Sequence, residues 1–197
     1  MLDKLFGFAK GLREVNAGQD VVRTGRIVSS RSKWGLAIVL FVLVYMIDQG
    51  SKWLVEHAMT LGQRIEVIPG VFRWFYILNP GAAFSFGEGH TWVFTVIQAV
   101  AAVIVVTALM RARSLWWVVS LACLLGGILG NLTDRLFRAP GFAIGHVVDF
   151  ISVGNFAIFN IADSAICLAM AAIIIMTVAG LKLDGTFEKS ASTSEEK

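Results

Sequence analysis

Four stretches of this chain are long and apolar enough to cross a bilayer, and that bounds everything else about it. A hydrocarbon core about 30 Å thick takes roughly 20 residues of helix. Residues 34–54 supply the first stretch, free of charge until Asp48 and Lys52 enter; 91–110 and 115–133 carry no charge; 156–181 contains only Asp163. With 56% hydrophobic and 16% charged residues, against about 25% charged in an ordinary soluble domain, the chain is neither a soluble globular protein nor a disordered one. A net charge of +3 is too small to imply nucleic acid, and two cysteines, Cys123 and Cys167, make no disulfide framework.

The basic residues orient the spans. Seven Lys/Arg lie in residues 1–33, Arg111 and Arg113 between the second and third spans, and Lys182, Lys189 and Lys197 in the tail. All fall on one side of a four-span chain, which predicts cytoplasmic termini and an outer location for 55–90 and 136–155. No small-residue cleavage site follows the basic lead, so the first span reads as a retained anchor. Residues 1–33 form a cytoplasmic extension, 34–181 the membrane domain and 182–197 a disordered tail. Within the extension, Leu2, Leu5, Phe6, Ala9 and Leu12 share one helical face; an interfacial helix and a disordered basic lead both fit.

Residues 64–86 are too polar to span and too apolar for a free loop. They are rich in Val, Ile, Phe, Tyr and Trp, broken by Pro69-Gly70 and Asn79-Pro80-Gly81. That is a strand–turn–strand pattern, expected to lie on the outer membrane surface. The predicted class is an all-α integral membrane protein with four transmembrane helices and a small extracytoplasmic β-sheet.

Ionisable residues inside a membrane are costly and mark function. At 1.5 Å per residue, Asp163 stands about 27 Å above Leu181, and Asp134 about 28 Å above Leu115. Lys52 reaches a similar height, and Asp149 sits in an apolar run at the same boundary. Carboxylates brought together there share a proton, as aspartic proteases require. Plainer roles exist. Asp48 and Lys52 make an i,i+4 pair, read as a structural ion pair; Asp134-Arg135 could be a helix end with Arg135 snorkelling outward. His146 with Asp149 gives two ligands, not a metal site. His57 and His90 read as loop residues, and Ser51-Lys52 and Ser164 lack the context of a Ser–Lys dyad. From depth alone Asp149 and Asp134 are equal candidates. A proton-coupled transporter or channel subunit is the alternative function, although the helices below Asp48 and Asp163 are wholly apolar; a non-catalytic scaffold subunit is a third.

Five motifs appear in order: Asp48-Gln-Gly-Ser-Lys52, Asn79-Pro-Gly-Ala-Ala-Phe-Ser85, Gly126-Gly-Ile-Leu-Gly-Asn-Leu-Thr-Asp-Arg135, Val147-Val-Asp-Phe-Ile151 and Phe159-Asn-Ile-Ala-Asp-Ser-Ala-Ile166. Together they resemble the lipoprotein signal peptidases (signal peptidase II), bacterial aspartyl peptidases of the inner membrane. The resemblance implies an enzyme that cleaves the signal peptide from prolipoproteins, just before a cysteine carrying diacylglycerol. It implies Asp149 and Asp163 as the catalytic dyad and Asn79 and Arg135 as substrate contacts. Asn131 and Asn160 would shape the site, Gly81, Asp134 and Ala162 would support it, and Asp48 and Lys52 would be structural. No metal and no cofactor are needed. The substrate would enter laterally from the lipid bilayer, the enzyme would act as a monomer, and the site would lie near the periplasmic face.

Overall fold

The computed structural model describes residues 15–17, 20–22, 25–81 and 91–188. The expected helix in residues 1–15 lies almost wholly outside them, as do 82–86 of the outer segment, His90 and the tail from 189. The elements run β1 (Val15–Ala17), β2 (Asp20–Val22), α1 (Ser30–Ala58), β3 (Arg64–Ile68), β4 (Phe72–Asn79), α2 (Thr91–Arg111), α3 (Leu115–Phe137), β5 (Val147–Val153) and α4 (Ile161–Val178). All four helices are long and apolar enough to span a membrane.

The bundle is built around α3, which packs against each of the other three helices. Its sequence explains why. Gly126, Gly127 and Gly130 let neighbouring backbones approach closely, the small-residue packing common between membrane helices. A Cβ on Gly127 would meet the Ala162 carbonyl oxygen of α4 at 2.6 Å, and one on Gly130 would meet Asp48 Oδ2 of α1 at 2.5 Å. The core consists of Val118, Leu121, Ala122, Leu125 and Ile128 of α3 with Ala37, Val105, Leu109 and Ala169. Away from α3, α1, α2 and α4 present exposed Val39, Leu43, Val103, Ile104, Ile175 and Val178, the surface that hydrocarbon would cover.

A three-stranded antiparallel sheet, ordered β3-β4-β5, sits at one end of the bundle. The sequence reading foresaw two strands within 64–86. The third, β5, comes from 147–153, where the reading had an outer segment leading into a fourth span beginning near 156. That helix instead starts at Ile161, because Phe159 pairs with Ile151 of β5 and Asn160 then caps the turn. At the other end, α1 begins at Ser30, capped by Ser29.

The tail also differs from its expected disorder over 182–188. Residues 181–188 fold back as a hairpin, bridging Leu181 to Phe187. Its carbonyls serve the other chain ends: Gly25 N–H donates to Gly185 O at 2.7 Å, and Arg113 N–H to Leu183 O at 2.7 Å. Trp117 Nε1 donates to Leu181 O at 2.9 Å. Backbone groups with no helix or sheet partner must find one elsewhere, and here three distant segments supply one another. Beside them Lys33 is buried, its Nζ donating to the carbonyls of Leu109, Met110 and Ala112 at 3.3, 3.0 and 3.1 Å. These are final carbonyls of α2 and its exit, where a cation suits the helix dipole.

Candidate active site

The N-terminus of α4 assembles the site. Asn160 has extended backbone and begins a reciprocal cap: its Oδ1 accepts the Asp163 N–H at 3.0 Å, and Asp163 Oδ2 accepts the Asn160 N–H at 3.2 Å. This capping arrangement satisfies two donors that a helix start leaves free. A third, Ala162 N–H, donates to Asp48 Oδ1 at 2.9 Å. A carboxylate at this first turn suits the positive end of the helix dipole. Asp163, the residue hardest to explain structurally from sequence, thus has a capping role as well.

The Asn160 side chain reaches in the other direction too. Its Nδ2 donates to Asp149 Oδ1 at 2.6 Å and to Asn131 Oδ1 at 3.2 Å. Asn131 Nδ2 donates to Asp163 Oδ1 at 2.7 Å. Asn160 therefore holds both Asp149 and Asp163, from a strand and a helix, and Asn131 adds a second hold on Asp163. The sheet completes the hold. Asp149 pairs with Ile77 across β4–β5, so Asn79, two residues on, shares its face as a diagonal neighbour. Asn79 Nδ2 donates to Asp149 Oδ2 at 2.8 Å, while its Oδ1 accepts the Gly81 N–H at 2.8 Å. Gly81 has φ +101, and a Cβ there would lie 2.5 Å from the Phe94 ring. Glycine is needed at this turn for both reasons.

Asp149 is 1% exposed. Burial pushes its carboxyl up to about 6; Asn79, Asn160 and Lys52 pull it back, while the neighbouring Asp163 adds to the rise. A like charge and a dry setting both favour the protonated acid.

Beneath lies a buried ionic cluster. Lys52 Nζ sits 2.8 Å from Asp48 Oδ2 and 2.8 Å from Asp134 Oδ2, all three side chains fully buried. The expected i,i+4 pair is present and extends to a second helix, α3. Lys52 also donates to Asn131 Oδ1 at 2.9 Å, fixing which end of that amide faces Asp163. Two contributors escaped the sequence reading. Gln49 Nε2 bridges Asp48 Oδ2, Gly130 O and Asp134 Oδ1 at 3.0–3.1 Å. Arg138 Nε bonds Asp134 Oδ1 at 2.7 Å, and its guanidinium also pairs with Glu56. The i,i+4 spacing of Asp134 and Arg138 was the available signal for the second. Val148 N–H donates to Asp134 Oδ2 at 3.4 Å, tying β5 to the cluster.

Arg135 faces the other way. It is 5% exposed, stands 5.3 Å over the Phe94 ring and donates to Pro80 O at 3.5 Å. Its Nε is buried with no hydrogen-bond partner among the described residues, and its charge interacts with Asp149, Asp134 and Asp163. A guanidinium keeps its charge in proteins, so this buried N–H is a donor open to an acceptor. The hydroxyls of Ser51 and Ser164 bond backbone carbonyls, and His57 bonds the Trp53 carbonyl; none joins the cluster.

Comparison with known proteins identifies the family. Residues 40–179 match the family described as signal peptidase (SPase) II. The chain is 48% identical over 153 residues to the lipoprotein signal peptidase of Streptomyces coelicolor, covering 78% of this chain and 74% of that protein. It is 41% identical over 160 residues to that of Leifsonia xyli, covering 79% and 74%, and 38% identical over 143 residues to that of Mycobacterium tuberculosis, covering 73% and 71%. Two bacterial membrane enzymes solved by the in meso method superpose with TM-scores of 0.66 and 0.68, at 32% and 30% identity, covering 73% and 83% of this chain and 93% and 94% of theirs. The chain belongs to the signal peptidase II family.

Proposed function

We propose that the chain is an aspartic endopeptidase that removes the signal peptide from diacylglyceryl-modified prolipoproteins, cutting before the lipidated cysteine. The observation that carries this reading is Asn160, whose amide bonds Asp149 while its cap holds Asp163. Two carboxyls so placed divide the labour of water attack. One carboxylate takes a proton from water as the hydroxyl adds to the scissile carbonyl carbon. The other carboxyl gives its proton to the carbonyl oxygen. Collapse of the tetrahedral intermediate then breaks the C–N bond: the leaving amine takes the proton held by the first carboxyl, and one hydroxyl of the intermediate returns its proton to the second carboxylate, which restores the dyad. Below about pH 6 we assign the shared proton to Asp149, whose burial favours the acid form. Arg135 and Asn79 supply donors to the substrate backbone.

The substrate carries an apolar helix and two acyl chains, so it enters laterally from lipid, and the enzyme works as a monomer without a cofactor. The membrane is the bacterial cytoplasmic membrane, the termini are cytoplasmic, and the sheet and aspartates face outward, as the distribution of Lys and Arg favours. Residues 1–33 are a cytoplasmic extension and 34–181 the peptidase domain. The test is gel-shift processing of a diacylated precursor by purified protein. Asp149→Asn and Asp163→Asn should each abolish cleavage while leaving a folded protein, and full activity in either would overturn the dyad. An unlipidated precursor should remain uncut.

A further inference from the structure

At the end of the bundle away from the aspartates, the C-terminal ends of α2 and α4 flank the start of α3 and leave a cleft of about 560 Å³. That is within the range of small-ligand sites, about 300–1,000 Å³. Its lining carries both signs of charge. Arg111 and Lys182 supply cations, Asp184 and Glu188 carboxylates, and Trp117 an indole face. The charges engage one another only loosely, with Lys182 acting on both Asp184 and Glu188. Lys182 and Glu188 stand 4.0 Å apart with side chains 52% and 72% exposed, a separation worth little in water. Asp184 is fixed by Thr186, whose N–H and hydroxyl both donate to its Oδ1 at 2.8 Å; these bonds hold the carboxyl below its ordinary range.

The surroundings are apolar. Met110 is 61% exposed and Val178 83%, so the polar cleft opens where lipid-facing helix ends. Tryptophan favours this boundary, and basic clefts between membrane helices take lipid phosphates. A cleft with cations alone would suit any anionic lipid. Two carboxylates in the same lining narrow the choice, because they repel a second anion and attract an ammonium that can donate hydrogen bonds.

We propose that this cleft binds the headgroup of an amine-bearing phospholipid, with its phosphate between Arg111 and Lys182, its ammonium against Asp184 and Glu188, and its acyl chains along α2 and α4. The site is independent of the aspartate chemistry. It anchors the bundle end where the C-terminal hairpin ties the chain together.

The test uses the full chain in nanodiscs of phosphatidylcholine, phosphatidylethanolamine and phosphatidylglycerol in equal parts, with retained lipids counted by native mass spectrometry. Phosphatidylethanolamine should be retained over phosphatidylcholine by at least about threefold, the size of one exposed ion pair. Asp184→Asn with Glu188→Gln should erase that preference while phosphatidylglycerol is still retained. Arg111→Ala with Lys182→Ala should lower retention of every phospholipid by about tenfold or more. Both variants should cleave precursor in detergent at the wild-type rate, which establishes that they fold. Retention without preference in the wild type, or a preference that survives in both variants, overturns the proposal. So does displacement of the lipid by soluble phosphoethanolamine at equal concentration, which would make the ligand a free small molecule. Displacement by a lysine-bearing signal peptide would equally overturn it, making the cleft a subsite for the substrate's basic end.

Discussion

Asn160 Nδ2 lies 2.6 Å from Asp149 Oδ1, and the same residue closes the cap that orients Asp163. One side chain therefore sets the spacing of two acids that belong to different elements. Replacing it tests positioning rather than proton transfer. Asn160→Ala should lower kcat by about 100-fold, the scale of a small misplacement of reacting groups, with little change in KM. Loss of the cap should also cost about 1 kcal/mol of stability. Steady-state kinetics on a lipidated precursor, with chemical unfolding in mild detergent, would read both. Unchanged kcat would show that Asp149 needs no such hold.

Lys52 is the only cation touching both Asp48 and Asp134 among the described residues. Lys52→Met should destabilise the fold by about 3–5 kcal/mol, because it leaves buried Asp48 without a cation and Asp134 with Arg138 alone. The double variant Asp48→Asn/Lys52→Met should be more stable than Lys52→Met alone. A double-mutant cycle on thermal unfolding gives the coupling, and additive losses would mean that the pair is not energetically joined.

The raised Asp149 carboxyl makes stability depend on pH. Its folded value of about 6 lies above the ordinary 3.8, so the folded state holds the proton more tightly than the unfolded chain. The resulting stabilisation is fully present below about pH 4 and is lost as pH rises through about 6. The difference amounts to about 3 kcal/mol. Asp149→Asn should remove this component, so that its unfolding free energy falls less between pH 4 and pH 7.5 than that of the wild type. Equal pH dependence in the two proteins would mean that Asp149 ionises as an exposed acid does.

Lys33 bonds three carbonyls at the end of α2. Lys33→Met keeps the chain's apolar length and removes the donor. It should cost about 1.5–3 kcal/mol, the range for bonds to a charged group, and leave kcat unchanged because the site lies at the opposite end. Thermal unfolding alongside precursor cleavage separates the two readouts. A fall in kcat without loss of stability would contradict this assignment.

Much of the architecture was legible because it rests on local pattern. Residues 91–110 carry no charge, and a 20-residue apolar run has few outcomes. The Asp48–Lys52 pair was legible as well, since i,i+4 geometry is local. Its extension to Asp134 was not, because nothing in either segment states how α1 and α3 are rotated against each other. The strand at 147–153 was missed for a related reason: its partner β4 lies about 70 residues earlier, and periodicity alone does not mark a short apolar run in an outer segment as a strand. Asp163 is the instructive case. Its depth in an apolar sequence signalled function, yet the Asn160-x-x-Asp163 spacing of a helix cap was equally available and gives it structural work. The convergence of Asp149 on the same asparagine was not readable from spacing; the motif resemblance implied the pairing of the two aspartates and a site role for Asn160, not the bond they share.

The hairpin at 181–188 bonds to the segments at 25 and 113, and this has a consequence for biosynthesis. Residues 25–28 and 112–115 emerge from the ribosome long before their partner is made. All four spans can therefore be inserted while the amide groups of Gly25 and Arg113 still await their final acceptors. Completion of this end of the molecule consequently waits for residues 181–188, which are made after the last helix.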